Sequence, residues 1–295
     1  MRQRMLFLYN PQAGTGILRE KLPLVLDRFT KAGFLVTVHP TQGNGDAVET
    51  ARAFGGDYDR VVCGGGDGTL NETVHGLLLG GHRTPLGYVP CGSTNDFAAS
   101  LGLPRQFLKA VDAACSDGQP FACDMGCFND RTFVYIAAFG AFTDVSYETS
   151  QGAKNLLGHL AYVLEGMSRL PTLGSYRARI EHGSEVIEDD FLFGMISNSV
   201  SVGGFPSPLG DQVELDDGLF EVLLVKTPKT PAANAALIGA LLAQDLTPKQ
   251  CYLFRTAELK ITGLPPMAWT LDGESGGTPE TAEISNKQRV VTIIR

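Results

Sequence analysis

The sequence predicts two domains: an N-terminal Rossmann-like α/β domain over residues 1–124 and a C-terminal β-sandwich or barrel-like domain over residues 125–295. Three observations carry this expectation. A chain of 295 residues exceeds the usual size of a single core. The first part alternates strand-like and helix-like runs joined by Gly-rich turns, the pattern of a parallel sheet covered by helices. Beyond Asp124, strand-like runs dominate and two helical stretches interrupt them.

Residues 5–9 (MLFLY) read as a buried strand, ended by the turn signal Asn10-Pro11. Residues 18–32 carry apolar side chains at helical spacing, and Gly33 supplies the stop. A strand is expected at 34–39, a helix at 46–54 and a short buried strand at 60–63. Residues 70–79 are helical again, and 86–90 (LGYVP) form the next strand. In the second domain strands are expected at 132–138, 176–181, 190–197, 219–226, 250–254, 258–261 and 289–294. Helices are expected at 155–169 and 231–244.

Composition narrows the function classes. The chain is 43% hydrophobic and 19% charged, enough apolar material for two cores. A formal net charge of −8 argues against nucleic-acid binding, which needs a basic face to displace counterions. It also weighs against tight docking on anionic lipid unless a local basic patch overrides the average. The six cysteines (Cys63, Cys91, Cys115, Cys123, Cys127, Cys251) form no CxxC pair and read as reduced, mostly buried thiols. The N-terminal apolar run is too brief for a signal-peptide core. The longest apolar run, residues 232–243, falls short of the ~20 residues that span a bilayer. The expectation is a cytoplasmic protein that does not cross a membrane.

The strongest local signal is Gly64-Gly65-Gly66-Asp67-Gly68-Thr69-Leu70-Asn71-Glu72, between a buried strand and a helix. Glycines let the backbone bend sharply and approach a ligand, and the N–H groups of a helix start favour an anion. A tight turn with Asp67 as helix cap is the structural alternative. Two similar turns follow other strands: Asn10-Pro11-Gln12-Ala13-Gly14-Thr15-Gly16 and Cys91-Gly92-Ser93-Thr94-Asn95-Asp96. Each is weak alone. Together they put three small polar turns at the C-terminal ends of parallel strands, where open α/β sheets bind ligands. There is no GxxxxGK[ST], no third glycine after Gly14 and Gly16 to complete a dinucleotide fingerprint, and no HExxH.

These residues resemble the diacylglycerol kinase catalytic family, which includes bacterial lipid kinases and sphingosine and ceramide kinases. The matching pieces are NPQAGTG from Asn10, GGDGTLNE from Gly65, PCGSTNDFAASLGLP from Pro90, DDGLFEV from Asp216 and WTLDGE from Trp269. The resemblance implies a nucleotide-binding first domain, ATP and Mg²⁺ as cofactors, and a lipid substrate met at the inner face of a membrane by peripheral contact. It is compatible with a homodimer. Asn10, Pro11, Gln12, Ala13, Gly14, Thr41, Gly65, Gly66, Asp67, Gly68, Thr69, Leu70 and Asn71 would contact ATP, with Ser93 or Thr94 adding a hydroxyl. Glu214, Asp217 and Leu219 align with a structural magnesium site, Glu214 and Leu219 through their carbonyls. Glu274 would be the general base, with Asp272 as its rival or an orienting or metal partner, and Asp67 would face the phosphates or Mg²⁺ across an interdomain cleft.

The acceptor is not read from the residues. Family members often carry Asn-Gly where this chain has Ile196-Ser197-Asn198-Ser199 before Gly203-Gly204. Lys226, Lys229 and Lys249 read as a solvated face or as cations that meet a bilayer. Diacylglycerol is the favoured acceptor, giving phosphatidic acid. The alternatives are an NAD kinase-like enzyme, which also carries GGDGT after a strand, and a non-catalytic nucleotide- or lipid-binding protein of the same fold.

Overall fold

The structure is a computed structural model describing residues 2–140, 174–202, 205–206, 213–243 and 245–295. The helix expected at 155–169 and the glycines at 203–204 lie outside the described residues. The chain divides into two compact units. Unit 1 is Met1–Met125, Leu215–Asp217 and Lys287–Arg295; unit 2 is Gly126–Glu214 and Gly218–Asn286.

In unit 1 the elements run β1 (Gln3–Tyr9), α1 (Ile17–Lys31), β2 (Phe34–Pro40), α2 (Asp46–Phe54), β3 (Arg60–Gly65), α3 (Asp67–Leu79), β4 (Leu86–Pro90), α4 (Asp96–Ser100), α5 (Phe107–Cys115) and β5 (Pro120–Phe128), the last running on into unit 2. The parallel sheet has the order β2-β1-β3-β4. From β1 the chain moves one way to β2, then back across β1 to β3 and on to β4. Right-handed crossovers therefore put α1 on one face and α2 and α3 on the other. Accordingly α2 packs on α3, and α1 on α5. Phe7, Phe29, Val25, Val62 and Val89 fill one side of this core, with the Phe7 and Phe29 rings edge-to-face at 5.2 Å.

Unit 2 is mostly antiparallel. After β6 (Arg131–Phe133) and β7 (Ile136–Gly140) come β8 (Tyr176–His182), β9 (Glu185–Ser197), the small pair β10 (Ser201–Val202) and β11 (Phe205–Pro206), and β12 (Phe220–Lys226). Then follow α6 (Pro231–Ala243), β13 (Cys251–Thr256), β14 (Glu258–Gly263), β15 (Trp269–Leu271), β16 (Glu274–Gly277) and β17 (Thr281–Ile294). The long β9 is the spine: its first half pairs with β8, and its second half with both β7 and β12. Trp269 anchors the core, its ring 5.0 Å from Phe128 and 4.9 Å from Phe139.

Three features depart from the local sequence pattern. The single strand expected at 132–138 is split into β6 and β7 by Val134 and Tyr135, whose amides turn to a side chain instead of a strand partner. The turn after β4 and the segment leading to residue 124 contain α4, α5 and the start of β5, for which no element was expected. The strand expected at 289–294 with the second domain ends β17 inside unit 1, where Ile293 pairs in parallel with Leu86 of β4. Arg289 N–H donates to the buried Asp124 carboxylate at 2.8 Å, and Asp124 N–H to the Leu215 carbonyl at 2.7 Å, which ties these returning segments down.

Close packing of β4 under α5 requires a bare backbone at Gly87: an added Cβ would lie 2.4 Å from the Ala114 carbonyl oxygen. Gly87→Ala should therefore destabilise the protein by about 1–3 kcal/mol. Gly239→Ala in α6, where a methyl meets nothing within 4 Å, should instead stabilise it by about 0.5–1 kcal/mol. Urea unfolding of the two variants beside wild type checks both signs.

Candidate functional site

In unit 1 the reversal of strand order falls between β1 and β3, so the crevice expected to hold a ligand opens at the C-terminal ends of these strands. The three glycine turns meet there. Gly14 has φ +54, and a Cβ on it would come within 2.1 Å of the Cys91 carbonyl oxygen. A Cβ on Gly92 would lie 2.7 Å from the Gly66 Cα. The turns after β1, β3 and β4 thus touch through bare backbone. Hydrogen bonds fix them: Asn10 N–H donates to the Gly64 carbonyl at 2.8 Å and Cys91 N–H to the Gly65 carbonyl at 2.7 Å. Asn10 Oδ1 accepts the Gln12 N–H, and Asn95 both accepts from and donates to the Gly92 backbone, each at 2.8 Å. Thr41 joins from the end of β2, its N–H on the Tyr9 carbonyl at 2.9 Å.

Asp67 opens α3 with only 7% of its surface exposed. Its carboxylate accepts Asp96 N–H at 2.9 Å and Phe97 N–H at 3.3 Å, so it caps α4 from a different helix. Burial, then the charge of the fully buried Asp96, pushes the Asp67 carboxyl up to about 6. Tyr88 approaches it at 3.5 Å. Two buried carboxylates at the mouth of three glycine turns are a donor set that suits a hard divalent cation, which would relieve their mutual repulsion. Asp96 and Tyr88 were not assigned from sequence; an acidic first residue after a small-residue turn was legible, its pairing with Asp67 was not.

The other assigned residues of this unit divide by exposure. Ser93, Thr94 and Gln12 are exposed, and Gly68, Thr69 and Asn71 half-buried at the start of α3. Ala13 and Leu70 are buried. Leu70 departs from the expected nucleotide contact, since its side chain is in the core and its N–H is taken by the Gly66 carbonyl at 3.1 Å. Cys63 and Cys91, beside the turns, are free thiols pushed up to about 12 by burial and are inert as nucleophiles.

In unit 2, β15 and β16 form a hairpin in which Leu271 pairs with Glu274 across Asp272-Gly273. Both turn residues have positive φ, 49 and 85, as a primed two-residue turn demands. The Asp272 carboxylate is buried and accepts the N–H groups of Val134 at 2.7 Å, Tyr135 at 3.0 Å and Ile136 at 3.1 Å. Its own N–H donates to the Ile136 carbonyl at 2.9 Å. This carboxylate is committed to the protein's backbone, which argues against Asp272 as a base and for an orienting role. Glu274 is exposed on the adjoining strand. Asn198, fully buried beside this element, donates its N–H to the Tyr135 carbonyl at 3.0 Å.

The magnesium set expected near residue 214 comprises one carboxylate, Asp217, and the carbonyls of Glu214 and Leu219. Glu214 is exposed and Asp217 half-buried, while the Leu219 carbonyl, expected as a ligand, accepts the Asn286 side-chain amide at 3.1 Å.

The family model for the diacylglycerol kinase catalytic domain matches residues 4–127. A diacylglycerol kinase of Staphylococcus carnosus strain TM300 is 34% identical over 291 residues, spanning 98% of this chain and 94% of that protein. One from Bacillus subtilis strain 168 is 34% identical over 277 residues, 93% of this chain and 91% of that protein. The fold is shared with the crystal structure of a diacylglycerol kinase from Bacillus anthracis strain Sterne (TM-score 0.77, 23% identity, 99% of this chain and 97% of that one). A second structure from that strain superposes with a TM-score of 0.82 at 24% identity, over 99% of this chain and 95% of that one. With a third of its residues shared along nearly the whole length of curated relatives, the chain belongs to the diacylglycerol kinase family of lipid kinases.

Proposed function

We propose that this chain transfers the terminal phosphoryl group of ATP to the hydroxyl of diacylglycerol, giving phosphatidic acid. The observation that carries this reading is the convergence of three bare-backbone turns at the strand-order reversal, beside the N-terminus of α3. Backbone amides in such turns receive phosphate oxygens closely, and the helix start adds partial positive charge. The turn residues from Asn10 to Gly14, Thr41, the segment from Gly65 to Asn71 and a hydroxyl from Ser93 or Thr94 are assigned to ATP. In Leu70 the contribution is to packing.

The lipid hydroxyl oxygen attacks the γ-phosphorus. A new O–P bond forms as the bond to the β–γ bridging oxygen breaks, and ADP leaves with that electron pair. The hydroxyl proton passes to a base, and the exposed Glu274 carboxylate has the access that role needs. Asp272 is the positioning residue, holding the turn that carries Glu274 against the amides of residues 134–136. Asp67 and Asp96 would hold Mg²⁺, which when bound offsets phosphate charge.

Transfer of labelled phosphate from ATP to a lipid panel in mixed micelles tests the reading. Diacylglycerol should be labelled, and Glu274→Gln should lose about 10²–10⁴-fold in rate without a fall in melting temperature. Labelling of NAD in place of any lipid would overturn it. Asp272→Asn, which turns an NH₂ towards amide donors, should cost about 1–3 kcal/mol of stability and lower kcat while Glu274 remains present. The Asp67 carboxyl is raised in the folded protein, so the folded state holds its proton more tightly than the unfolded chain. Stability from this group is therefore greatest below about pH 4 and is lost as pH rises to about 6, by roughly 3 kcal/mol. Urea unfolding between pH 4 and 7 in metal-free buffer should show this slope in wild type and its loss in Asp67→Asn.

A further inference from the structure

We propose that the outer face of α6, with Lys229 and Lys249 beside it, docks on the surface of an anionic lipid bilayer. The proposal deepens the kinase reading by naming the surface that meets the substrate's membrane, and it can fail separately from it. Helix α6 (PAANAALIGALLA) contains no charged residue. Only Leu237 and Leu241 are buried, while Ala232, Ala235, Ala236, Gly239, Leu242 and Ala243 are exposed. A surface helix ordinarily carries polar residues on its outer face, and one that is apolar all round is ordinarily covered. Leu242 is 58% exposed, and Leu253 on the following strand β13 is 52% exposed.

Charge identifies what covers the helix. Residues 226–250 contain Lys226, Lys229 and Lys249 against the single acid Asp245, three minus one or +2, within a chain of net charge −8. Lys229 and Lys249 are exposed and make no ion pair among the described residues. With Ala233 and Leu237 of α6 they line a cavity of about 330 Å³. Lys226 is occupied otherwise: its Nζ donates to the Pro248 carbonyl at 3.0 Å and lies 3.9 Å from the centre of the Tyr252 ring. Asp189 also lines this cavity, its carboxylate accepting the Tyr252 hydroxyl at 3.2 Å.

Cations beside an exposed apolar helix match the layered chemistry of a phospholipid surface, with phosphate outside and hydrocarbon beneath. The helix has 13 residues, short of a span, so it lies along the interface. A second copy of the chain fits less well, because a two-fold contact would bring the same lysines of both copies into one patch. Lipid phosphate supplies the opposite charge.

The test is co-sedimentation of the full chain with vesicles of phosphatidylcholine alone or mixed with phosphatidylglycerol, across a salt series. Wild type should bind the phosphatidylglycerol vesicles, more weakly as salt rises. Lys229→Glu/Lys249→Glu should lose at least about fivefold in partitioning for each lysine removed, and Leu242→Asp should weaken binding at all salt concentrations. Both variants should keep wild-type melting temperatures and wild-type phosphorylation of a short-chain, soluble diacylglycerol. Undiminished vesicle binding by either variant, or no binding by wild type, overturns the docking surface whatever the kinase assay gives. So does a solution dimer dispersed by Leu242→Asp without vesicle binding. Wild type that binds vesicles but phosphorylates no soluble diacylglycerol leaves the docking surface standing and counts against the kinase reading.

Discussion

The contact on which unit 1 depends is backbone against backbone, at the ends of three parallel strands. Gly14 against Cys91 and Gly66 against Gly92 approach closer than any side chain allows. A single methyl at Gly14 would strike the Cys91 carbonyl oxygen. The turns can converge because their residues are small, and once converged they present N–H groups and a helix start instead of side chains. Ligand chemistry at such a surface is set by the main chain more than by side-chain charge.

The same device recurs in both units: an aspartate at a turn commits its carboxylate to amides distant in sequence. Asp67 reaches residues 96 and 97, and Asp272 reaches residues 134, 135 and 136. A carboxylate that accepts backbone donors is a strong positional anchor, because leaving either partner unsatisfied in a buried setting is costly. The two sites differ in charge balance. Asp67 has Asp96 as a neighbour, and burial and that charge push its carboxyl up. Asp272 has three backbone donors within hydrogen-bond distance, which hold the hairpin that bears Glu274.

The acidic balance of the chain and the basic setting of α6 are reconciled by locality. Net charge acts at long range and is screened within about 10 Å at ordinary ionic strength, whereas a helix resting on a surface senses the residues beside it. Unit 2 also keeps its charges in ordered ladders elsewhere, as in the Arg179 contacts with Glu181 and Glu188 on β8 and β9. Against that background a helix of 13 residues without one charge stands apart.

Much of this was legible in the chain itself. The alternation of MLFLY, the helical spacing that follows and the glycine turns determined the parallel α/β core, because strand and helix periods and glycine's freedom are local properties. The helix at Asp46–Phe54 and the strand at Leu86–Pro90 begin and end where their residues indicated. Tertiary structure alone decided what depends on partners far along the chain. The run 289–294 reads as a strand, yet only the tertiary fold sets its Ile293 beside Leu86 of β4. The run 132–138 breaks at Val134 because a carboxylate 138 residues away competes for its amides. Asp67 was visible as an acid in a glycine loop, while its pairing with Asp96 required the turns to fold together. Asp272 could be named as a turn residue, while its three donors from residues 134–136 required the folded chain. Local propensity sets elements; burial and long-range hydrogen bonds set the roles of the residues within them.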